Sequence, residues 1–243
     1  MTYCVALNLE AGLVFASDSR TNAGVDNIAR FEKMRVFAKD GDRVIVTLSA
    51  GNLSVTQNAQ SLLELRARNE PQNLNLWNAK SLFEVAGLIG DAMREVRSRD
   101  ETYLRAQNID ASASFIVGGQ IAGEIPRLFL VYSEGNFIES STDTPFVQIG
   151  EIKYGKPILD RIMRRDSSLA DAVKCTLVSF DSTIRSNISV GAPIDLLVYD
   201  KDSLRVNLKR RLEENDPYLD AIRNGWENGL KAAFEALPAS NWA

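Results

Sequence analysis

Alternating and β-branched residues crowd the first fifty positions, and at Ala50-Gly51 the hydrophobic period switches from two to about 3.6. This switch, which recurs further along, limits the available folds more than any other feature. Residues 3–17 read as two short strands around Glu10-Ala11-Gly12, with Val5, Leu7 and Leu9 alternating against Cys4, Ala6 and Asn8. Residues 33–38 (KMRVFA) and 43–49 (RVIVTLS) form a second hairpin across Asp40-Gly41-Asp42, a strong turn signal. Beyond Gly51, the residues Leu53, Val55, Ala59 and Leu62-Leu63 share a helical face that ends near Asn69-Glu70-Pro71. A longer helix begins near Asn78, where Leu82, Val85, Ala86, Ile89, Met93 and Val96 recur at helical steps. Strands return at 113–119, 127–132, 136–139 and 145–150; helices follow at 157–164 and 168–182, then a strand at 192–199, which 203–208 extends. In the terminal segment Asp216 caps a helix, Pro217 takes its first position, and Leu219, Ile222, Trp226, Leu230, Phe234 and Leu237 line one face before Pro238. The order of elements predicts an α+β fold with helices on both outer sides of the sheets. No repeat or low-complexity linker interrupts the sequence, so residues 1–243 read as a single domain with 216–243 as a helical extension.

There is no histidine. That removes every Ser-His-Asp and Cys-His arrangement and every HExxH zinc site, so hydrolytic chemistry here needs another base. Cys4 and Cys175 form no CxxC or zinc-ribbon spacing, which indicates neither a disulfide framework nor a structural metal. Acidic residues outnumber basic ones by 32 to 28, for a formal charge of −4, which gives no overall field for nucleic acid. The N-terminus lacks a basic leader, and Asn8 and Glu10 interrupt its apolar stretch, so no export or membrane segment is expected and a cytoplasmic setting fits. Asn52-Leu53-Ser54 and Asn187-Ile188-Ser189 match the glycosylation triplet and read as accidental.

Two chemical leads stand out. Gly150 to Lys156 satisfies the GxxxxGK part of a phosphate-binding loop between a strand and a helix. However, Pro157 stands where Ser or Thr would bind Mg²⁺, and Glu151 and Tyr154 add charge and bulk, so an ordinary turn is the favoured reading and nucleotide binding a minor alternative. The second lead is Thr2. Removal of Met1 frees an α-amine with a pKa of about 7.7–8.0, a general base that needs no imidazole, beside a hydroxyl it can activate. If Met1 stays attached, the Thr2 nitrogen is an amide without useful basicity. Asp18 ends the second strand, so the hairpin return brings its carboxylate back beside residue 2, and Lys33 opens the next hairpin.

Thr2, the ASDSR segment containing Asp18, Lys33, the SAG turn ending at Gly51, and Gly118-Gly119 together resemble the proteasome β-subunit family, traceable from Thr2 to about Tyr199. Among its members the chain is most similar to the bacterial ancestral β-subunits. The resemblance implies the N-terminal nucleophile hydrolase fold, a four-layer αββα sandwich, and the activity of a threonine-type peptide or amide hydrolase. In it Thr2 is the nucleophile and its amine the base; Lys33 lowers their proton affinity, Asp18 holds Lys33, and the Gly51 N–H meets the oxyanion. Lys33 is aligned through the following MRVF strand. Where the family usually carries Ser after the glycine of the PFVQIG-like strand, this chain has Glu151. Asp181 and Ser186 fall in the segment that supports the amine, and Thr21, Met34 and Gly51 fall where a substrate pocket is lined. No metal or organic cofactor is implied. The implied partners are a peptide or amide substrate and identical subunits in a ring or open ring, with an ATPase or other bacterial partner left open. A catalytically silent ring-forming subunit of the same fold is the alternative.

Overall fold

The computed structural model describes residues 2–22 and 28–242. Two five-stranded antiparallel sheets face each other between helical layers. The first runs in the order β10 (Phe146–Gly150), β1 (Tyr3–Leu9), β2 (Gly12–Asp18), β11 (Ile194–Asp200) and β12 (Leu208–Leu212). The second runs β5 (Met34–Lys39), β6 (Arg43–Gly51), β7 (Ala113–Ile121), β8 (Arg127–Val131) and β9 (Phe137–Glu139). Helices α1 (Leu53–Asn69) and α2 (Leu82–Ala106) cover the second sheet, α3 (Lys156–Ile162) and α4 (Leu169–Ser186) cover the first, and α5 (Pro217–Glu235) packs on α4. The expected αββα layering is what the chain forms.

Strand alternation explains why the layers hold. Along β1, Tyr3, Val5, Leu7 and Leu9 turn towards Leu159, Leu177 and Phe180 of the helices, while Cys4 and Ala6 turn inward to meet Met34, Val46, Leu48 and Ile116 between the sheets. Every residue of β1 and β2 is buried, because each strand has a covered layer on both faces. On the far side, Ile45, Phe115, Val117 and Phe129 pack under Val55, Ala59, Val85, Ile89 and Met93.

Four local expectations change. The long helix begins at Leu82, not near Asn78, because asparagine side chains hold the preceding turn. Asn75 N–H donates to Asn78 Oδ1 at 2.8 Å, Asn78 Nδ2 reaches the carbonyls of Pro71 and Asn73, and Ser81 then caps the helix. Helix α4 runs past residue 182 to Ser186. Residues 203–208 form a turn, with Asp202 and Leu204 at φ +63° and +44°, and the strand starts only at Leu208. Its Lys209, Arg210 and Arg211 suit an exposed sheet edge, where charge blocks pairing with another chain. Finally, β3 (Arg20–Asn22) and β4 (Ile28–Arg30) form a small ribbon that the sequence did not signal.

The terminal helix is split. Asp216 caps it as expected, and Leu219 and Ile222 pack on the α3–α4 side of the first sheet. Leu230, Phe234 and Leu237 are 51%, 76% and 65% exposed. Among the described residues, no helix is long and apolar enough to cross a membrane. Phe15 lies fully buried between the sheets, so Phe15→Ala should lose about 3–5 kcal/mol in urea unfolding. Phe234→Ala should change stability by less than about 0.5 kcal/mol.

Candidate active site

β1 begins at the third residue, so nothing separates Thr2 from the sheet. The peptide joining Thr2 to Tyr3 is gripped from both sides. Its carbonyl oxygen accepts a hydrogen bond from the Glu151 amide at 2.7 Å, and its N–H, that of Tyr3, donates to Asp18 Oδ1 at 3.0 Å. Gly150 makes the close approach possible: its φ is +83°, and a Cβ there would lie 2.0 Å from the Thr2 carbonyl oxygen.

Asp18, the last residue of β2, has no exposed surface, and Lys33 is 5% exposed. The Lys33 ammonium donates to the same Asp18 Oδ1 at 2.7 Å and to the carbonyl of Arg20 at 2.6 Å. The lysine's own carbonyl is fixed by the Ser49 N–H at 3.1 Å, and the Ser49 carbonyl accepts from Cys4 Sγ at 3.6 Å. Ser49 thereby ties β6 both to Lys33 and, across the sandwich, to β1. Burial pushes the Asp18 carboxyl upward, while the charge and hydrogen bond of Lys33, then the amides of Tyr3 and Gly191, pull it back. Burial also pushes the Cys4 thiol up, against the opposing charge of Lys33, which leaves it a poor nucleophile. A desolvated ammonium in this position favours deprotonation of a nearby hydroxyl or amine.

Gly51 closes β6 opposite Ala113 at φ +102°, and a Cβ there would lie 2.4 Å from the Ser112 carbonyl oxygen. Its identity therefore has a packing cause independent of any oxyanion. Glu151 is 6% exposed, and its Oε2 accepts from Asn187 Nδ2 at 3.0 Å. Asn187 follows α4 as its C-cap, and its Oδ1 accepts from the Ser189 N–H. Asn187, which the sequence showed in an accidental glycosylation triplet and at the end of the 181–187 segment, is buried and structural. Asn52, from the other triplet, caps α1.

Asp181 and Ser186 are not gathered with Thr2 by contacts of this kind. Because α4 continues to Ser186, Asp181 sits within the helix and faces α5, pairing with Arg223 Nε at 3.2 Å and Arg185 Nε at 3.8 Å. Ser186 is exposed at the helix end. Met34 is fully buried between the sheets, so it is part of the core before it is part of any pocket. The Thr21 side chain and Met1 lie outside the described residues. The segment from Gly150 to Lys156 is no open phosphate cradle: Gly150 lies against Thr2, Glu151 is buried, and Lys156 pairs with Asp160 at 2.7 Å. Among the described residues, no group of three or more His, Cys, Asp or Glu side chains is gathered as a metal site needs.

No family model matches the chain. It is 48% identical to Anbu (ancestral beta-subunit) from Yersinia bercovieri over 99% of this chain and 100% of that one, with a TM-score of 0.92. It is 51% identical to the protein in the helical assembly of the Anbu complex from Pseudomonas aeruginosa, over 99% and 98% of the two chains, with a TM-score of 0.93. Among curated proteins, proteasome subunit beta 2 of Pyrobaculum islandicum is 28% identical over 207 residues, 84% of this chain and 94% of that protein. The contact at Gly150 is directly testable. Gly150→Ala should cost on the order of 1–3 kcal/mol in chemical denaturation, since it adds a strained φ and forces Thr2 away. A substitution elsewhere on the same turn, Lys153→Ala, should leave the midpoint in place.

Proposed function

We propose, since the chain belongs to the proteasome β-subunit family and within it to the Anbu (ancestral β-subunit) proteins, that it is a cytoplasmic threonine-type peptide or amide hydrolase. Removal of Met1 frees the Thr2 amine. That amine takes the proton of Thr2 Oγ1 as the oxygen attacks the substrate carbonyl carbon. The Gly51 N–H stabilises the oxyanion, and the ammonium returns the proton to the departing amine, leaving an acyl ester on Thr2. Water, deprotonated by the same amine, then releases the acid and regenerates Oγ1–H. No cofactor enters these steps. One observation carries the reading: a single oxygen of Asp18 holds both the Lys33 ammonium and the peptide immediately following Thr2. A desolvated positive charge is thus fixed one shared carboxylate oxygen away from the peptide that follows the nucleophile.

Thr2→Val, and separately a blocked Thr2 amine, should abolish hydrolysis of a diverse acylated-peptide library while near-UV circular dichroism stays native. Lys33→Met should reduce kcat by about 10²–10⁴-fold, and it should also cost about 3–5 kcal/mol because Asp18 is left buried and unpaired. Adding Asp18→Asn should recover much of that stability and none of the turnover. Turnover recovering along with stability would reduce Lys33 to a purely structural residue.

The alternative, a silent ring-forming subunit, shares the second half of our proposal: identical chains assemble through the exposed end of α5. Its support is the run of Leu230, Phe234 and Leu237 left open beyond the packed Leu219 and Ile222, together with the helical assembly formed by the Pseudomonas aeruginosa relative. Leu230→Glu with Phe234→Glu should give smaller species by light scattering at micromolar concentration, with an unchanged circular dichroism spectrum. A wild-type chain that is already monomeric there defeats this half.

A further inference from the structure

We propose that Glu151, held in place by Asn187, sets the proton affinity of the Thr2 amine and raises it, so that the base becomes available only as the pH climbs above neutral. This rests on the reading of Thr2 as nucleophile. The position of Glu151 follows from the strand pairing. Tyr3 lies opposite Gly150 in the β1–β10 register, and the hydrogen bond from Glu151 N–H to the Thr2 carbonyl carries that pairing one residue further. The Thr2 and Glu151 backbones are therefore direct neighbours, joined by that 2.7 Å hydrogen bond.

The surroundings of Glu151 supply the chemistry. A carboxylate removed from water calls for a cation or for several donors. The side-chain donor given to Glu151 is the neutral amide of Asn187, and among the described residues no lysine or arginine forms an ion pair with it. Asn187 is itself anchored, through its N–H to the Thr183 carbonyl at 2.9 Å and its Oδ1 to the Ser189 N–H at 3.0 Å. The arrangement is a rigid, buried carboxylate beside the one position in the chain where loss of Met1 creates a new cation. An ammonium at Thr2 is the partner the site lacks.

The neighbouring charged groups are already committed. From β2, Asp18 is bound to Lys33, and Lys33 also donates to the Arg20 carbonyl. From β1, burial pushes both the Tyr3 phenol and the Cys4 thiol up, so both stay neutral. From α4, Asp181 faces Arg223 and Arg185, and in the turn after β10 Lys153 is exposed while Lys156 pairs with Asp160. Asp18 and Lys33 thus form a largely compensated pair beside the Thr2–Tyr3 peptide, to which Glu151 adds a negative charge. Lys33 favours the free base and Glu151 favours the ammonium. An opposite charge within about 4–6 Å shifts a titration by roughly 1–3 pH units, starting from about 7.7–8.0 for an α-amine.

The test uses the full chain prepared with Thr2 as its first residue, checked by intact mass, in wild type, Glu151→Gln, Glu151→Ser and Glu151→Asp. The amine is titrated by the pH dependence of its acylation with trace acetic anhydride, and the rate of amide hydrolysis is followed over the same pH range. Glu151→Gln keeps the size of the side chain and an acceptor for Asn187. It should lower the amine midpoint by about one pH unit or more and raise hydrolysis at pH 7 by up to about tenfold. Glu151→Ser should move the midpoint in the same direction, and Glu151→Asp should stay near wild type. An unmoved midpoint in both neutral variants, or an equal shift with Asp, overturns the proposal. Because acylation requires no turnover, a midpoint that moves in an inactive chain defeats the hydrolase reading alone. Turnover with a fixed midpoint defeats this inference alone.

Discussion

Oxygen Oδ1 of Asp18 accepts two hydrogen bonds from distant parts of the sequence, the amide of Tyr3 and the ammonium of Lys33. Removing two such charges from water costs several kcal/mol per ion, and only close, well-formed contacts recover it. Around the side-chain pair itself, the sandwich supplies the remaining contacts through backbone. β2 ends at Asp18, Ser49 of β6 holds the lysine's carbonyl, and Arg20 offers its own carbonyl to the second ammonium proton. Loss of either partner leaves a buried charge behind. The geometry at Thr2 is thus coupled to the stability of both sheets.

That coupling also bears on how Thr2 is held. A residue on a loop must be ordered at an entropic cost, whereas Thr2 directly precedes a strand buried on both faces. The carbonyl and N–H of its following peptide are both fixed. Gly150 is the other half of this economy. At φ +83° it brings β10 to within contact of Thr2 without a side chain between them, and it turns Glu151 into the interior.

Much of this was legible in the sequence, for reasons that also mark where reading stops. The period of two in β1, β2, β5 and β6 and the period near 3.6 in α1, α2 and α5 reflect burial, and burial is what hydrophobic pattern records. Asp18 was visible because a hairpin return brings one strand's end back to the other's start, whereas Lys33 came through the family resemblance. Three-residue ribbons such as β3–β4 carry no period, and the charged β12 resembles a loop because its exposed edge is kept polar. The more consequential miss was the end of α4. Asp-Ser at 181–182 reads as a helix stop, yet Ile184 lies on the face that packs against the first sheet, and four more residues stay helical. That extension carries Asp181 round to α5 and makes Asn187 the residue that reaches Glu151. The relevant signal was the hydrophobic step at Ile184, which outweighs the local preference of Asp and Ser for turns.

Helix α5 poses a separate physical question. Its first turns are secured by the Asp216 cap, by Leu219 and Ile222, and by Arg223 and Glu227, which bridge to Asp181 and Arg185 of α4. Past Glu227 the described contacts thin to the solvent-exposed pair of Lys231 with Glu227, which water and salt screen. Yet the apolar spacing continues through Leu230, Phe234 and Leu237 without a break. A free helix end rich in large apolar residues is poorly matched to water, since helical stability in proteins comes mainly from packing one face. The anchored first half continues without a break into the exposed second half, which presents an apolar ridge. A ridge so presented loses little further entropy when a surface closes over it, which is the condition under which a modest apolar contact can decide an assembly.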